Sequence, residues 1–174
     1  MRPLFILLCL LIAALPARAD DLAALLEKLP AGSYSDRIAV VGEIAALGDA
    51  RAVPVLEALA KGNLRTRKSD KRLVLAIKDG KQYALSDPLS GEDLGAVKRR
   101  GAKKVKVNNR VRGAVAEALA QLRLLSPDPA IRQAAADDAA KYGSAQMLAR
   151  LRAAEAAEQV AEVKAAMGQA LIAA

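Results

Sequence analysis

Histidine and tryptophan are absent from this 174-residue chain, and cysteine occurs once, at Cys9. Without histidine no imidazole can act as a catalytic base, and one cysteine forms neither an internal disulfide nor a Cys/His zinc site. The adjacent pairs Asp20-Asp21 and Asp137-Asp138 lie in alanine-rich helical stretches, where neighbouring residues do not share a face. No Ser-x-x-Lys motif and no glycine-rich phosphate loop occurs. The composition therefore predicts a protein that is not an enzyme and that holds no metal or cofactor.

Residues 1–19 have the pattern of a secretory signal peptide. Arg2 is followed by twelve apolar residues, and small residues, Ala17 and Ala19, stand at the −3 and −1 positions of a cleavage site. Twelve apolar residues are fewer than the roughly 20 that a membrane-spanning helix needs, so we favour cleavage over retention as an anchor. The mature protein is therefore expected to be exported, and to have lost Cys9.

Helical repeats are indicated by three stretches that align on one another, 36–59, 131–154 and 163–174. In the first two, a helical pattern is followed by a glycine, Gly48 or Gly143, and then by a second helical pattern. Aromatic residues make up only 2% of the chain and alanine dominates these helices, which therefore gain stability mainly by stacking on one another. The predicted fold is mainly α, a HEAT-like α-solenoid of helical hairpins.

A β-hairpin is predicted between the helical segments. Two β-rich runs, 73–77 and 82–85, flank Asp79-Gly80, and Asp-Gly between such runs is a strong hairpin signal. We expect the helices to pack without help from this insertion. The expected divisions are the signal peptide 1–19, first helical repeats 20–62, an inserted basic β-hairpin region 63–107 and C-terminal helical repeats 108–174, with 20–174 forming one domain.

Positive charge is concentrated in one block of the sequence. Residues 61–112 hold 16 basic and 5 acidic residues, whereas the rest of the mature chain holds 9 basic and 14 acidic residues. The densest part, VKRRGAKKVKVNNRVRG (97–113), has eight Lys and Arg and no acidic residue. It contains no aromatic side chain on which a base could stack, and export removes the usual partner, so we expect no nucleic acid binding.

Two interpretations of this run stay open. It is either a solvated charged loop, or a contact surface for anionic lipid headgroups or for an acidic face of a protein partner. Asn108 or Asn109 also suits the N-cap of the helix that follows. The candidate contact residues are Arg99, Arg100, Lys103, Lys104, Lys106, Asn108, Asn109, Arg110 and Arg112.

Taken in order, these segments resemble the N-terminal extracytoplasmic region of bacterial urea transporter permeases, in the branched-chain amino acid class of ABC importers. The resemblance rests on AALGDARAVPVLEALAKGNLRTRKSD, on LVLAIKDGKQYALSDPLSGEDLG and on VKVNNRVRGAVAEALAQLRLLSPDPAIRQAA, and it covers essentially the whole chain. It implies a role in urea uptake, a location in the periplasm at the outer face of the inner membrane, and ABC transporter subunits as partners. Those partners are the permease and the periplasmic urea-binding protein.

The sequence departs from that family in one respect. Family permeases continue into a bundle of transmembrane helices, and this chain has no apolar run of spanning length after the signal peptide. We therefore expect a non-catalytic docking or scaffold module, either a truncated permease or a separately encoded piece. The alternative is a free-standing periplasmic HEAT-repeat adaptor between proteins. An enzyme related to HEAT-repeat bilin lyases is disfavoured by the absence of His and Cys from the mature chain.

Overall fold

The computed structural model describes residues 17–142 and 144–174. The predicted signal peptide up to residue 16, with Cys9, and the predicted repeat turn at Gly143 lie outside the described residues. In the described part the protein is mainly α, with seven helices and one antiparallel sheet. The helices are α1 (Ala17–Lys28), α2 (Tyr34–Leu47), α3 (Ala52–Lys61), α4 (Asn109–Leu124), α5 (Pro129–Tyr142), α6 (Ala145–Ala157) and α7 (Ala161–Ala173).

Local signals define the ends of the first helices. Ser33 and Asp36 form a capping box at the start of α2, in which each side chain accepts a hydrogen bond from the backbone N–H of the other. The same helix ends at Gly48, as the sequence predicts, and the φ of 67° at this residue is the left-handed conformation that glycine adopts readily. Pro54 occupies the third position of α3, where its missing N–H removes no helical hydrogen bond.

The predicted hairpin is part of a larger, five-stranded sheet. Its two arms are β2 and β3, which pair with Asp79 opposite Gln82. The full strand order is β4-β3-β2-β1-β5, and every neighbouring pair is antiparallel. The strands are β1 (Leu64–Arg67), β2 (Leu73–Asp79), β3 (Gln82–Ser86), β4 (Asp93–Lys98) and β5 (Ala102–Lys104).

The sheet curls because its two edge strands follow each other in the chain. A single 3-10 turn, Arg99–Gly101, joins β4 to β5, and the N–H of Lys68 beyond β1 donates to the carbonyl of Gly101 at 2.9 Å. The inner face then encloses a small cluster of its own, formed by Val74, Ala76, Tyr83, Leu85 and Ala102. The turn between the edge strands therefore lies beside the end of β1.

The other face of the sheet belongs to the main helical core, which corrects the expectation that the helices pack without the insertion. Leu64 of β1 and Leu73 of β2 are buried among side chains of α1 to α4, and Leu75 packs against the same cluster. A second helical core lies among α4 to α7, around Leu151 and Met167. No helix in the described part of the chain is long and apolar enough to cross a membrane.

Candidate functional site

The structure distributes the basic run over four places. Arg99 and Arg100 lie in the 3-10 turn, Lys103 and Lys104 lie on β5, and Lys106 lies in the link to α4. The remaining candidates, Asn109, Arg110 and Arg112, are exposed in the first turn of α4. Of the predicted contact residues, only Lys103, Lys104 and Lys106 line a common cleft.

Two of the predicted residues have other roles in the fold. Asn108 is the N-cap of α4, and its side-chain oxygen accepts a hydrogen bond from the N–H of Val111 at 2.9 Å. The guanidinium of Arg99 lies 6.0 Å from the ring centre of Tyr83, and that of Arg65 lies 4.1 Å from the same ring. Arg99 therefore lies at the outer limit of a cation–π contact with Tyr83. Neither Arg99 nor Arg100 lines a cleft with the lysines of the run.

Three residues of the run come together with two lysines that the sequence did not single out. Lys103, Lys104 and Lys106 line a cleft of about 540 Å³ together with Lys68 and Lys71. We call this the lysine cleft. It lies between the sheet and the loop that joins α1 to α2. Its other lining residues are Glu27, Pro30, Ala31, Gly32 and Arg37 on the helical side, and Thr66 and Val105 on the sheet side.

Strand pairing positions the lysines of β5. In the register of β1 and β5, Lys103 stands opposite Thr66, and Lys104 stands opposite Arg65. The pairing continues at Val105, whose N–H donates to the carbonyl of Leu64 at 3.1 Å. Because Leu64 is fixed in the helical core, the lysines on β5 are attached to a rigid element.

Lys71 reaches the cleft from a turn with an unusual backbone. Its φ of 63° makes it the only non-glycine residue with a positive φ among those described. Such a conformation costs on the order of 1–3 kcal/mol and persists only where the surroundings impose it. Here the surroundings are the closed turn between β1 and β2, in which the N–H of Arg67 donates to the carbonyl of Arg72 and the N–H of Lys71 donates to the carbonyl of Arg67, both at 2.9 Å.

The acidic residues beside this turn are paired with arginines. Asp70 accepts from Nε of Arg67 at 3.0 Å, and this hydrogen bond is the main reason that the pKa of Asp70 is lowered to about 2. Burial raises the pKa of Asp87, but the N–H groups of Ser90 and Leu89 and the guanidinium of Arg72 outweigh it and lower that pKa to about 2. Both carboxylates are therefore charged and already neutralised by arginine, rather than by the lysines.

The lysine cleft consequently carries uncompensated positive charge. None of its five lysines forms an ion pair in the described residues, and Glu27 is the one carboxylate among the lining side chains. The buried Arg37, 4% exposed, adds a sixth cation at the wall. Arg37 stabilises the loop between α1 and α2. Its Nε donates to the carbonyl of Leu29 at 2.6 Å, and its Nη2 donates to the carbonyls of Pro30, Ala31 and Gly32.

Lys68, Lys71 and Arg37 were not among the site residues predicted from the sequence. The first two belong to the basic block 61–112, but nothing local in the sequence places the turn that carries them beside β5. Chemically, the arrangement suits the binding of anions, because lysine supplies mobile point charges with three donors each. Comparison of the chain with known protein families, with curated proteins and with solved structures finds no match.

Proposed function

We propose that this protein is a non-catalytic docking module of a urea-type ABC importer, exported and seated at the outer face of the inner membrane. Its basic side contacts an acidic face of the transporter subunits, the permease and the urea-binding protein. The observation that carries the proposal is the lysine cleft, in which five lysines without carboxylate partners surround one space. Uncompensated charge of this kind steers association and selects partners of the opposite charge.

The distribution of charge over the fold supports a single docking side. The basic block 61–112 begins at the end of α3, includes the whole sheet and finishes in the first turn of α4. The remaining helices carry the excess of acidic residues, with 14 acidic against 9 basic residues in the rest of the mature chain. The domain is therefore electrically polar, with the sheet as its positive part.

The finer architecture that we propose is a HEAT-like stack of helical repeats. Two features support it. The pair α2 and α3, joined through Gly48, corresponds in sequence to the pair α5 and α6. Alternate helices pack on one another, α2 on α4 and α5 on α7, as expected when repeats stack side by side.

A free-standing periplasmic adaptor between proteins is the second candidate. It is favoured by a groove of about 650 Å³ between α3, the end of α4 and α5. Val53, Pro54, Leu122 and Ile131 contribute to its lining, and Ile131 is exposed. An adaptor would use this apolar groove for a partner, whereas the docking module uses the basic side.

The decisive experiment compares the mature domain on permease-containing membranes with the same domain on protein-free vesicles of identical lipid composition. We expect binding to the permease membranes at 0.1 M salt and its loss at 1 M, since the screening length falls from about 10 Å to about 3 Å. Replacing Arg99, Arg100, Lys103 and Lys104 by Glu should abolish this binding. A matched variant, Lys103→Arg with Lys104→Arg, keeps the charge and should bind like the wild type.

Three outcomes would contradict the proposal. Equal binding by the wild type and the charge-reversed variant would make the basic run a solvated loop. Equal binding to protein-free vesicles would assign the contact to lipid alone. Salt-resistant binding that is lost on Ile131→Asp but retained on charge reversal would favour the adaptor.

A further inference from the structure

We propose that the lysine cleft is a binding site for a compact anion carrying two or more linked phosphate groups. This goes beyond the docking function, because it requires no transporter subunit. It concerns Lys68, Lys71, Lys103, Lys104 and Lys106 as a ligand site rather than the whole basic side of the protein.

The number of charges selects the ligand class. Five lysines and Arg37, against one carboxylate, Glu27, leave an excess of five positive charges around a space of about 540 Å³. This volume falls within the roughly 300–1,000 Å³ of pockets for small ligands. One orthophosphate would fill only part of it. A chain of two or three phosphates places several negative charges within that volume, next to the lysines that line it.

The positive charge of the cleft is not neutralised by neighbouring carboxylates. Asp70 and Asp87 are held by Arg67 and Arg72 and do not pair with the cleft lysines. The left-handed backbone of Lys71 is maintained by the turn between β1 and β2 without a ligand. An unpaired cluster of like charge at one place indicates a site suited to an anion.

The side chains that line the cleft do not favour a nucleotide as the ligand. Among the described residues no aromatic side chain lines the cleft, so a nucleobase would find no surface there on which to stack. The polar groups available beside the lysines include the hydroxyl of Thr66 on β1. The cleft therefore recognises its ligand through the phosphate groups, which belong either to a free oligophosphate or to a lipid headgroup with two phosphates.

The test is calorimetric titration of the mature domain with tripolyphosphate and with orthophosphate at constant ionic strength. We expect tripolyphosphate to bind at least tenfold more tightly than orthophosphate. The variant Lys103→Gln with Lys106→Gln should weaken tripolyphosphate binding at least tenfold. The matched variant Arg110→Gln with Arg112→Gln removes the same charge from exposed positions outside the cleft, and should change binding by less than twofold.

A lipid arm distinguishes the two sources of linked phosphates. Vesicles containing cardiolipin, with two phosphates in each headgroup, are compared with phosphatidylglycerol vesicles of equal surface charge. Cleft-dependent binding to cardiolipin alone would identify a lipid headgroup as the ligand, and cleft-dependent binding to tripolyphosphate alone would identify a free anion. Either result supports the site.

The proposal is overturned if both double variants weaken binding equally, because the lysines would then act only through net charge. It is also overturned if tripolyphosphate binds no more tightly than orthophosphate and cardiolipin vesicles bind no more tightly than phosphatidylglycerol vesicles. The docking proposal is tested separately by Arg99→Glu with Arg100→Glu, since neither residue lines the cleft. That variant should reduce docking and leave tripolyphosphate binding unchanged.

Discussion

The carboxylate of Glu158 accepts two hydrogen bonds from the guanidinium of Arg132, at 2.6 Å from Nε and at 2.9 Å from Nη2. The Glu158 side chain is only 5% exposed and that of Arg132 only 14%. Arg132 also donates to the carbonyls of Ser126 and Pro127, and Glu158 also accepts from the N–H of Val160. The pair therefore ties the link between α4 and α5 to the link between α6 and α7.

This ion pair should make the stability of the C-terminal helices depend on pH. The hydrogen bond from Arg132 is the main cause that lowers the pKa of Glu158 from 4.5 to about 2. A carboxylate whose pKa is lowered by folding stabilises the native state above its unfolded pKa, and this stabilisation is lost as the pH falls from about 4.5 towards 2. We therefore expect Glu158→Gln to lower the melting temperature at pH 7, and the difference from the wild type to shrink across that window.

The measurement is thermal unfolding followed by circular dichroism between pH 7 and pH 2. Asp137→Asn is the control, because Asp137 is exposed on α5 and forms no ion pair in the described residues. The control should follow the wild type at every pH. A difference between Glu158→Gln and the wild type that stays constant down to pH 2 would contradict the assigned role.

Asn108 and Asn109 should respond differently to replacement by alanine. Asn108 caps α4 through the N–H of Val111, and loss of such a cap costs about 1 kcal/mol. Asn109 is exposed at the first helical position, so Asn109→Ala should change the free energy of unfolding by less than about 0.5 kcal/mol. Urea denaturation of the two variants tests this, and equal effects would show that the cap does not stabilise the helix.

Gly62 should be less tolerant of alanine than Gly80. Both have a positive φ, 79° and 51°, which costs alanine roughly 1–2 kcal/mol. A methyl group on Gly62 would also displace the flexible ammonium end of Lys104, which adds a small cost, whereas nothing lies within 4 Å of the corresponding position on Gly80. We expect Gly62→Ala to be the more destabilising, and the excess to vanish in a Lys104→Ala background. A double-mutant cycle from urea denaturation measures this excess, and an excess that persists would place its cause elsewhere.

The sheet should be necessary for the stability of the helices. Leu64 of β1 is fully buried in the main helical core, and Leu→Ala at such sites costs about 2–5 kcal/mol. Ile77 of β2 is 64% exposed, so Ile77→Ala should have little effect. Urea unfolding followed by far-ultraviolet circular dichroism provides the measurement. Loss of strand signal with full retention of the helical transition in Leu64→Ala would show that the two parts fold independently.

Export and cleavage stay a prediction from the sequence. The small residues at the −3 and −1 positions, Ala17 and Ala19, predict that the exported protein begins at Asp20. Mass spectrometry of the protein purified from a periplasmic extract should find this N-terminus. A chain with residues 1–19 intact in the membrane fraction would contradict cleavage and would require a different account of localisation.

Several features of the fold follow from short-range patterns in the sequence. The end of α2 at Gly48, the Asn cap of α4 and the hairpin at Asp79-Gly80 each depend on residues within a few positions of one another. For the same reason the buried stripe of α7, with Val163 and Met167, could be recognised from its helical spacing. Such signals act on the backbone conformation of a short segment, and a sequence displays them directly.

Tertiary structure alone decided the candidate site. The strands β1 and β5 are short and rich in Lys and Arg, so they lack the alternation of apolar residues that predicts a strand. Their pairing, with Arg65 opposite Lys104, joins segments that are far apart in the sequence. Only that pairing brings Lys68 and Lys71 beside the lysines of β5. The burial of Leu64 in the helical core likewise depends on contacts between distant segments. A sequence could therefore show how much positive charge the block holds, but not which charges surround one space, because that depends on how the sheet curls and on which of its faces the helices cover.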